Sequence, residues 1–419
     1  MNIQIYLMGI ATNTDLTISY HKKNLDNSTL LTLYKNMCKP RMIEEKMLIL
    51  LRQGKISKWF SGIGQEAISV GVTMALNKEE YILPMHRNLG VFTTRDIPLF
   101  RLFCQWQGKL PGFTNGRDRS FHFGSQEFNI VGMISHLGPQ LGVADGIALA
   151  SLLKNKNTVT AVFTGEGGTS EGDFHEALNV ASVWKLPVIF CIENNSWGLS
   201  TPSSEQYKCK QFIDKGIGYG IEAIRIDGNN ILEVIKTVDK INKEIRTNPR
   251  PFIIEAMTYR VRGHEESSGT KYYPEGIQDL WGEKDPVLNY ELFLKETGVL
   301  TEKEEKEIKE LYRKNIQQSF DIAQNEDVID SSEEKEESDV FQPFHQNVIS
   351  PQSETKELRF IDAISESLNQ SMEKYPDLVL MGQDIAEYGG AFKVTEGLVD
   401  VYGKERVRNT PLCESAIVG

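Results

Sequence analysis

The chain has 419 residues, 40% hydrophobic and 25% charged, a composition typical of a soluble globular protein with two or three domains. Its formal net charge is −12 (46 basic against 58 acidic residues), but residues 326–339 contribute −7 and leave −5 elsewhere. The basic residues do not cluster into a stripe of the kind that binds nucleic acid, and no apolar run is long enough for a membrane span. The five cysteines show neither CxxC spacing nor a disulfide framework, which favours a reducing cytoplasm.

The first part of the chain is predicted to be an arm followed by helices. Residues 1–27 are polar and irregular, and they precede an apolar helical stripe over Ser28–Gln53 that is broken at Pro40. Further along, Tyr81–Leu83 is predicted to be a strand and Gln140–Leu153 a helix. Close packing of another helix or subunit is permitted by the small residues of that helix, namely Gly142, Ala144, Gly146, Ala148 and Ala150.

The most informative stretch is residues 158–201. Two apolar, β-branched runs, Val159–Phe163 and Pro187–Ile192, flank a predicted helix over Ser170–Trp184, which starts with Ser170 and Asp173 at capping-box spacing. A right-handed crossover of this length makes the two strands parallel. Both carboxyl ends therefore lie at one edge of the sheet, where ligands of open α/β sheets bind.

Glu166 and Asn195 come just after these two strands. A carboxylate, an amide oxygen and nearby backbone carbonyls suit Mg²⁺, which usually completes its octahedron with water and substrate phosphates. Gly165, Gly167 and Gly168 let the backbone approach a phosphate, and the predicted helix offers its positive end. The sequence therefore predicts a magnesium-diphosphate site.

The chain continues with alternating predicted elements. They are a helical turn at Lys210–Gly216, a strand at Ile221–Ile226, a helix at Ile231–Thr247 and a buried strand at Pro251–Tyr259. His264 follows that last strand, so it is predicted to lie at a strand's carboxyl edge.

A charged helix, Lys303–Gln324, leads into a segment with little apolar content, which we expect to be an exposed, disordered linker. The composition turns globular again at Leu358, with a helix at Ile361–Tyr375 and a strand at Leu378–Met381. The predicted domains are an arm (1–27), a diphosphate-binding domain (28–325), an acidic linker (326–355) and a second α/β domain (356–419). This last domain is expected to be incomplete, because it is shorter than a typical α/β domain.

The motifs also carry a family resemblance. G-E-G at 165–167, followed after 26 residues by Asn194-Asn195, resembles the diphosphate-binding motif of thiamine diphosphate enzymes. The segment GEGGTSEGDFHEALNVASVWKLP resembles the α-subunit of the decarboxylating component of 2-oxo acid dehydrogenase complexes. The segments KVTEGL and VRNTPLCESAIVG resemble the start of the β-subunit. The resemblance implies an α/β thiamine-diphosphate-binding fold, with a parallel sheet flanked by helices, joined to a truncated pyrimidine-binding domain.

By this resemblance Glu166 and Asn195 bind Mg²⁺ by their side chains and Trp197 by its carbonyl oxygen, while Gly165, Gly167 and Gly168 belong to the diphosphate-binding turn. Arg87 contacts the diphosphate, because a guanidinium is a planar, multi-donor group suited to phosphate oxygens. His86 stands where the family has Tyr, so its role stays open. The positions that contact the cofactor in the family match Ser135 and Leu137.

His264 matches a family histidine that faces the cofactor, which implies a polar or acid–base role during acyl transfer. Residues 265–268 depart from the family's serine pattern, which leaves regulatory phosphorylation open. Glu414 matches the carboxylate that hydrogen-bonds the aminopyrimidine ring and helps to generate the ylid nucleophile. His122 and His136 are further polar candidates, with structural roles as the alternative.

The implied reaction is decarboxylation of a 2-oxo acid, with thiamine diphosphate and Mg²⁺, and reductive acylation of the lipoyl domain of an acyltransferase component. Glu166 favours a branched-chain acid such as 2-oxoisovalerate as the substrate, whereas the KLPVIF motif favours pyruvate. An acetoin-cleaving or transketolase-like enzyme and a non-catalytic assembly subunit are the alternatives. We expect an α2β2-like oligomer, without nucleic acid or membrane partners. A β-type chain or further C-terminal segment would complete its site, and this chain alone is expected to be nearly inactive.

Overall fold

The computed structural model describes residues 17–22, 25–133, 135–345, 348, 350 and 355–419, so most of the predicted N-terminal arm lies outside the described residues. The chain divides into two compact units, one running to Val328 together with Gly419, and the other covering Ile329–Val418. Among the helices of these described ranges, none has both the length and the apolar character needed to cross a bilayer.

A five-stranded parallel sheet forms the centre of the first unit. Its order is β1-β2-β3-β7-β6, and every neighbouring pair is parallel. A small antiparallel hairpin, β4 with β5, follows β3 in the chain. The strands are β1 (Ile82–Leu83), β2 (Thr160–Gly165), β3 (Val188–Asn194), β4 (Trp197–Gly198), β5 (Thr201–Pro202), β6 (Glu222–Asp227) and β7 (Phe252–Met257).

The register of this sheet fixes the position of the predicted motif. Gly165, the last residue of β2, lies opposite Glu193 near the end of β3. Glu166 and Asn195 therefore leave the sheet at the same edge. The predicted parallel pairing of these two strands is confirmed.

Twelve α-helices surround the sheet in the described part of the first unit. They are α1 (Asn27–Arg52), α2 (Glu66–Ala75), α3 (Leu89–Thr94), α4 (Leu99–Gln107), α5 (Pro139–Leu153), α6 (Gly172–Trp184), α7 (Ser203–Gln206), α8 (Asp214–Tyr219), α9 (Ile231–Thr247), α10 (Ile277–Gly282), α11 (Pro286–Glu296) and α12 (Glu302–Gln324). Short 3₁₀ turns occur at Gln126–Phe128 and Glu166–Ser170.

Helix α1 differs from the predicted one in its continuity. It runs through Pro40 as one 26-residue helix, although a proline removes one backbone donor. Burial compensates for this loss, because apolar residues on both sides of Pro40, among them Met37 and Ile43, are fully buried. Tertiary packing therefore overrides the local helix-breaking tendency.

The main apolar core lies between the sheet and the helices that pack on it. Strand residues Phe163, Ile189 and Ile254 are buried together with Val234 of α9 and Phe103 of α4. Full burial of such a side chain is worth roughly 1.5–3 kcal/mol relative to exposure. This core holds the carboxyl edge of the sheet in a fixed position.

The second unit has a much smaller buried core than the first. Its elements are α13 (Glu333–Val340), α14 (Phe360–Lys374), β8 (Leu380–Gly382), a 3₁₀ turn (Ala391–Lys393), α15 (Leu398–Tyr402), β9 (Val407–Asn409) and α16 (Glu414–Val418). Strands β8 and β9 form a parallel pair. The buried cluster of this unit consists of Met372, Ala386, Leu398 and Val407.

The predicted linker contains one short helix, although no regular element is predicted there from the sequence. Helix α13 is capped by the side chain of Ser332 and has no buried residue. None of the described residues of the linker is buried, as expected, although part of the segment is helical. Its disorder stays a prediction.

Candidate active site

The turn after β2, Glu166–Ser170, and the loop after β3, Asn195–Trp197, form one site, which we call the metal turn. The backbone N–H of Asn195 donates to Glu166 Oε2 at 3.1 Å, and the N–H of Trp197 donates to Asn195 Oδ1 at 3.2 Å. Parallel register brings these segments together, since each directly follows its strand. The three predicted metal ligands therefore lie side by side.

The Glu166 carboxylate carries an incompletely satisfied charge. The residue is 0% exposed, and its Oε1 has no hydrogen-bond partner among the described residues. Burial raises the pKa of this carboxyl to about 7, although backbone N–H groups and Arg260 oppose the shift. Buried polar atoms are almost always paired. A cation beside Oε1 would satisfy this atom and stabilise the ionised form, so the residue fits a Mg²⁺ ligand.

Gly165, which directly precedes the metal turn, and Gly167 and Gly168 within it have different neighbours. A Cβ on Gly167 would lie 2.9 Å from Gly198 Cα, and one on Gly168 would lie 2.7 Å from Thr164 Oγ1. A side chain at either position would force its neighbour to shift, because the chain itself packs against both glycines. Gly165 has open space around its Cα, with no atom within 4 Å of such a Cβ. Of the three, Gly165 offers the space for a ligand.

The predicted capping box of the following helix is wrong. Helix α6 begins at Gly172, and its N-cap residue Glu171 makes no side-chain cap hydrogen bond. Ser170 Oγ instead donates to Gln206 Oε1 at 3.0 Å. The 3₁₀ turn separates the strand from the helix, so the metal turn is held by contacts outside the helix.

Arg87, predicted to bind the diphosphate, is 5% exposed. Its guanidinium donates to the carbonyls of Ser61 at 3.0 Å and His264 at 3.1 Å, and lies 3.0 Å from His86 Nε2. Burial and the nearby Arg260 charge lower the pKa of Arg87 to about 10, which keeps it cationic at neutral pH. The structure thus brings together the predicted residues His86, Arg87 and His264.

Arg260 completes this cluster and is not among the residues predicted from the sequence. It is 2% exposed, and it donates to Tyr273 Oη at 2.7 Å, the Leu199 carbonyl at 2.8 Å and Tyr272 Oη at 3.2 Å. Its position just after β7 could have indicated it, because a basic residue at a strand's carboxyl edge can reach the site. We call Arg87 and Arg260 the arginine pair.

Neither member of the arginine pair forms an ion pair with a carboxylate among the described residues. Their partners are carbonyls, phenols and imidazoles, all of which are neutral. The Glu166 and Glu193 carboxylates attract these guanidinium groups without forming an ion pair with them. Two buried positive charges that lack a paired carboxylate are costly unless an anion binds between or beside them. This local excess of positive charge suits a diphosphate or a carboxylate.

His264 lies between the two guanidinium groups. Its Nδ1 is 3.2 Å from Arg260 Nη1 and 3.5 Å from Arg87 Nη2, so Nδ1 accepts and the proton is assigned to Nε2. Burial and the charges of Arg87 and Arg260 lower the pKa of His264 to about 4. His86 packs 5.7 Å from this ring, and burial lowers the pKa of His86 well below its usual value. Both imidazoles are therefore neutral donors at physiological pH.

The loop before α5 lies next to the metal turn. Leu137 is 42% exposed, and its Cβ would lie 3.5 Å from a Cβ on Gly168. Ser135 Oγ contacts His122 Nε2 at 3.0 Å, while His122 Nδ1 faces Asp118 at 3.3 Å. His122 is therefore oriented towards the predicted cofactor contact Ser135. His136 is exposed on the same loop.

Glu414 lies in the second unit, at the first residue of α16. Its side chain is exposed, and hydrogen bonds from its own backbone N–H and the Gln383 side chain lower its pKa. The carboxylate is thus ionised and accessible within its own unit. Its predicted role toward a pyrimidine ring stays a prediction.

Comparison with known proteins agrees with this geometry. Residues 34–331 match the family model described as dehydrogenase E1 component, and residues 356–419 match that of the transketolase pyrimidine-binding domain. A 2-oxoisovalerate dehydrogenase subunit alpha from Bacillus subtilis is 35% identical over 305 residues, 72% of this chain and 92% of that protein. Subunit alpha 1 from Arabidopsis thaliana is 34% identical over 294 residues, 70% of this chain. The chain spans 62% of that relative's length. The chain therefore belongs to the dehydrogenase E1 component family.

Proposed function

We propose that this chain binds thiamine diphosphate through Mg²⁺ and takes part in the oxidative decarboxylation of a branched-chain 2-oxo acid, with transfer of the acyl group to a lipoyl domain. Family membership supports the cofactor. The names of the relatives, 2-oxoisovalerate and 3-methyl-2-oxobutanoate dehydrogenase subunits alpha, support the substrate. The observation that carries the proposal is the buried Glu166 carboxylate, whose Oε1 has no partner among the described residues.

The metal turn and the arginine pair suit the two charges of a magnesium diphosphate. Glu166 Oε1 and the Asn195 side chain supply oxygen ligands, with the Trp197 carbonyl as the third protein ligand. Arg87 and Arg260 neutralise phosphate or carboxylate oxygens by charge-assisted hydrogen bonds. Electrostatic attraction between the Glu166 carboxylate and Arg260, which already acts on the Glu166 pKa, supports the closeness of these groups.

His264 is proposed to act as a hydrogen-bond donor first and a base second. Its Nδ1 accepts from Arg260, which leaves the Nε2 proton free to face a substrate oxygen. An anion held by the arginine pair would offset the two positive charges and raise the pKa of His264 towards its usual range. Acid–base work by this ring therefore depends on the diphosphate being in place.

Thiamine diphosphate, when bound, supplies the carbon nucleophile and the electron sink that decarboxylation needs. The protein supplies orientation and charge. Glu414 is proposed to hold the proton of the aminopyrimidine ring, and a β-type chain is proposed to take part in an α2β2-like oligomer with this chain. Among the described cysteines, Cys38, Cys104, Cys191 and Cys209 are free thiols, which is compatible with our proposal of a cytoplasmic enzyme.

Calorimetry on the full chain tests the cofactor site. Thiamine diphosphate should bind in the presence of Mg²⁺ and lose most of its affinity when EDTA removes the metal. Equal binding with and without the metal would contradict the role of Glu166. Decarboxylation rates with 2-oxoisovalerate, pyruvate and 2-oxoglutarate, measured with a β-type partner present, then test the substrate. A preference for pyruvate would contradict the branched-chain substrate and would indicate a pyruvate dehydrogenase component instead.

A further inference from the structure

A lysine of helix α8 contacts the metal turn. Lys215, in the first turn of α8, reaches back to this turn, where its Nζ donates to the Thr169 carbonyl at 3.2 Å and to Thr169 Oγ1 at 3.4 Å. Thr169 is fully buried, and its hydroxyl in turn donates to the Glu166 carbonyl at 2.6 Å. One threonine therefore separates the ammonium of Lys215 from the backbone of the proposed metal ligand.

Three aromatic rings surround this ammonium. The Nζ lies 4.7 Å from the ring centre of Phe212 and 5.3 Å from those of Phe174 and Tyr207. Cation–π contacts of this kind hold a lysine in one place, because the rings attract the charge from several sides. The long side chain is thus fixed although it spans two elements.

The same cage connects the lysine to the second half of the metal turn. Tyr207 Oη accepts a hydrogen bond at 3.2 Å from Asn194, the last residue of β3. Asn195, the proposed amide ligand, is the next residue. Movement of Lys215 would therefore disturb both strand ends.

An ordinary structural lysine would pair with a carboxylate at the surface. Of the carboxylates in the described ranges, none forms an ion pair with Lys215, which is half-buried. Its ammonium group donates instead to the carbonyl and the hydroxyl of Thr169. The interaction fixes the backbone of the turn and leaves the positive charge unneutralised behind it.

We propose that Lys215 is a positioning residue of the diphosphate site: it holds the Glu166–Ser170 turn so that the Glu166 carboxylate faces the metal. The inference rests on the proposed function, since it assigns this lysine a role toward Mg²⁺ and thiamine diphosphate. Residues that support a metal ligand typically change metal affinity about 10- to 100-fold. We expect Lys215→Met to weaken Mg²⁺-dependent thiamine diphosphate binding by about 10-fold.

The test compares binding with stability in four forms of the full chain. Calorimetry gives the affinity for thiamine diphosphate with Mg²⁺, and thermal unfolding without either ligand gives the stability. The forms are the wild type, Lys215→Met, Lys215→Arg and Lys309→Met. Lys309 serves as a matched control because it also bridges two groups, Glu291 and Glu305, but on helices away from the metal turn.

The inference predicts a weaker affinity for Lys215→Met, recovery to within about 3-fold in Lys215→Arg, and wild-type affinity in Lys309→Met. Wild-type affinity in Lys215→Met, with or without a lower melting temperature, would overturn it. If Lys215→Met does not fold, Lys215→Gln is measured by the same criteria. Failure of the wild type itself to bind would overturn the proposed function, and the inference with it, so the two failures are distinguishable.

Discussion

The metal turn and the arginine pair are two buried charged regions of one site, assembled in opposite ways. The metal turn consists of two segments, with Glu166 and Asn195 29 positions apart, that directly follow two adjacent strands joined by one crossover, and it presents a carboxylate. The arginine pair joins Arg87, after β1, to Arg260, after β7, through His264. Each region carries a charge that is not neutralised by an opposite charge in its immediate contacts.

In the site that we propose, a magnesium diphosphate is held by a negative group on one side and by positive groups on the other. A metal needs a ligand of defined geometry, so its ligands come from a rigid strand–turn–helix unit. An anion is satisfied by charge and by several donors, so its partners can come from distant segments. Losing the metal ligand should therefore cost more affinity than losing one arginine.

The largest effect is expected from Glu166→Ala. Removal of the carboxylate takes away the only proposed charged ligand, so Mg²⁺-dependent thiamine diphosphate binding should weaken by more than about 100-fold, beyond the range typical of supporting residues. Glu171→Ala, an exposed residue just beyond the turn, is the control and should bind normally. Calorimetry that finds wild-type affinity in Glu166→Ala would contradict the site.

Arg87→Lys tests the other half of the site and should have a smaller effect. Lysine keeps the charge but cannot reproduce the planar multi-donor head. We expect the affinity for thiamine diphosphate to fall by about 10-fold, the equivalent of one hydrogen bond to a charged group. Arg313→Lys, on the exposed face of α12, should leave binding unchanged. Equal losses of affinity in Arg87→Lys and Glu166→Ala would contradict the expectation that the metal ligand contributes more to binding than one arginine.

The pKa of His264 should report whether the arginine pair is neutralised. In the free protein the ring should titrate near pH 4, so it is neutral in the folded state at pH 5. Since the unfolded chain would bind that proton, this group makes stability fall as the pH drops from about 6.5 towards 4. Inorganic pyrophosphate should raise the pKa of His264 by more than about one unit.

Nuclear magnetic resonance of the histidine ring measures this shift directly. Arg260→Gln should raise the pKa of His264 even without an anion, because one positive neighbour is lost. A pKa near 6.5 in the free wild-type protein would mean that the two guanidinium groups do not act on this ring.

The smallest effects concern Gly168 in the metal turn and Gly165 directly before it. Gly168→Ala should destabilise the protein by about 1 kcal/mol or more, because its Cβ would meet Thr164 Oγ1 at 2.7 Å. Gly165→Ala has open space and a negative φ of −83°, so its stability should stay within about 0.5 kcal/mol of the wild type. Denaturant unfolding of the two variants compares them. A larger loss of stability in Gly165→Ala than in Gly168→Ala would contradict the conclusion that the space around Gly165 is open.

Much of the fold and the metal turn could be predicted because the signals are local. Strands β2 and β3 are continuous apolar runs, and their parallel pairing follows from the length of the crossover. The continuity of α1 through Pro40 could not be predicted, because it depends on tertiary burial. The error at Ser170 has a related cause: its hydroxyl bonds to Gln206, a residue 36 positions away in the sequence.

The arginine pair shows the limit of sequence reasoning most clearly. Arg87 was identified by resemblance, but Arg260 was one of several basic residues in a run and carried no distinguishing pattern. Its role follows from three-dimensional contacts with His264 and Tyr273. A sequence read one segment at a time cannot show which distant cations share a site.

The most direct test is a crystal structure of the chain with thiamine diphosphate and Mn²⁺ in place of Mg²⁺, using the anomalous signal of the metal. Our account predicts one strong peak at about 2.0–2.2 Å from Glu166 Oε1, with the Asn195 side chain as a second ligand and the diphosphate completing the shell. A metal coordinated by other residues, or a diphosphate bound without contact to the metal turn, would contradict it.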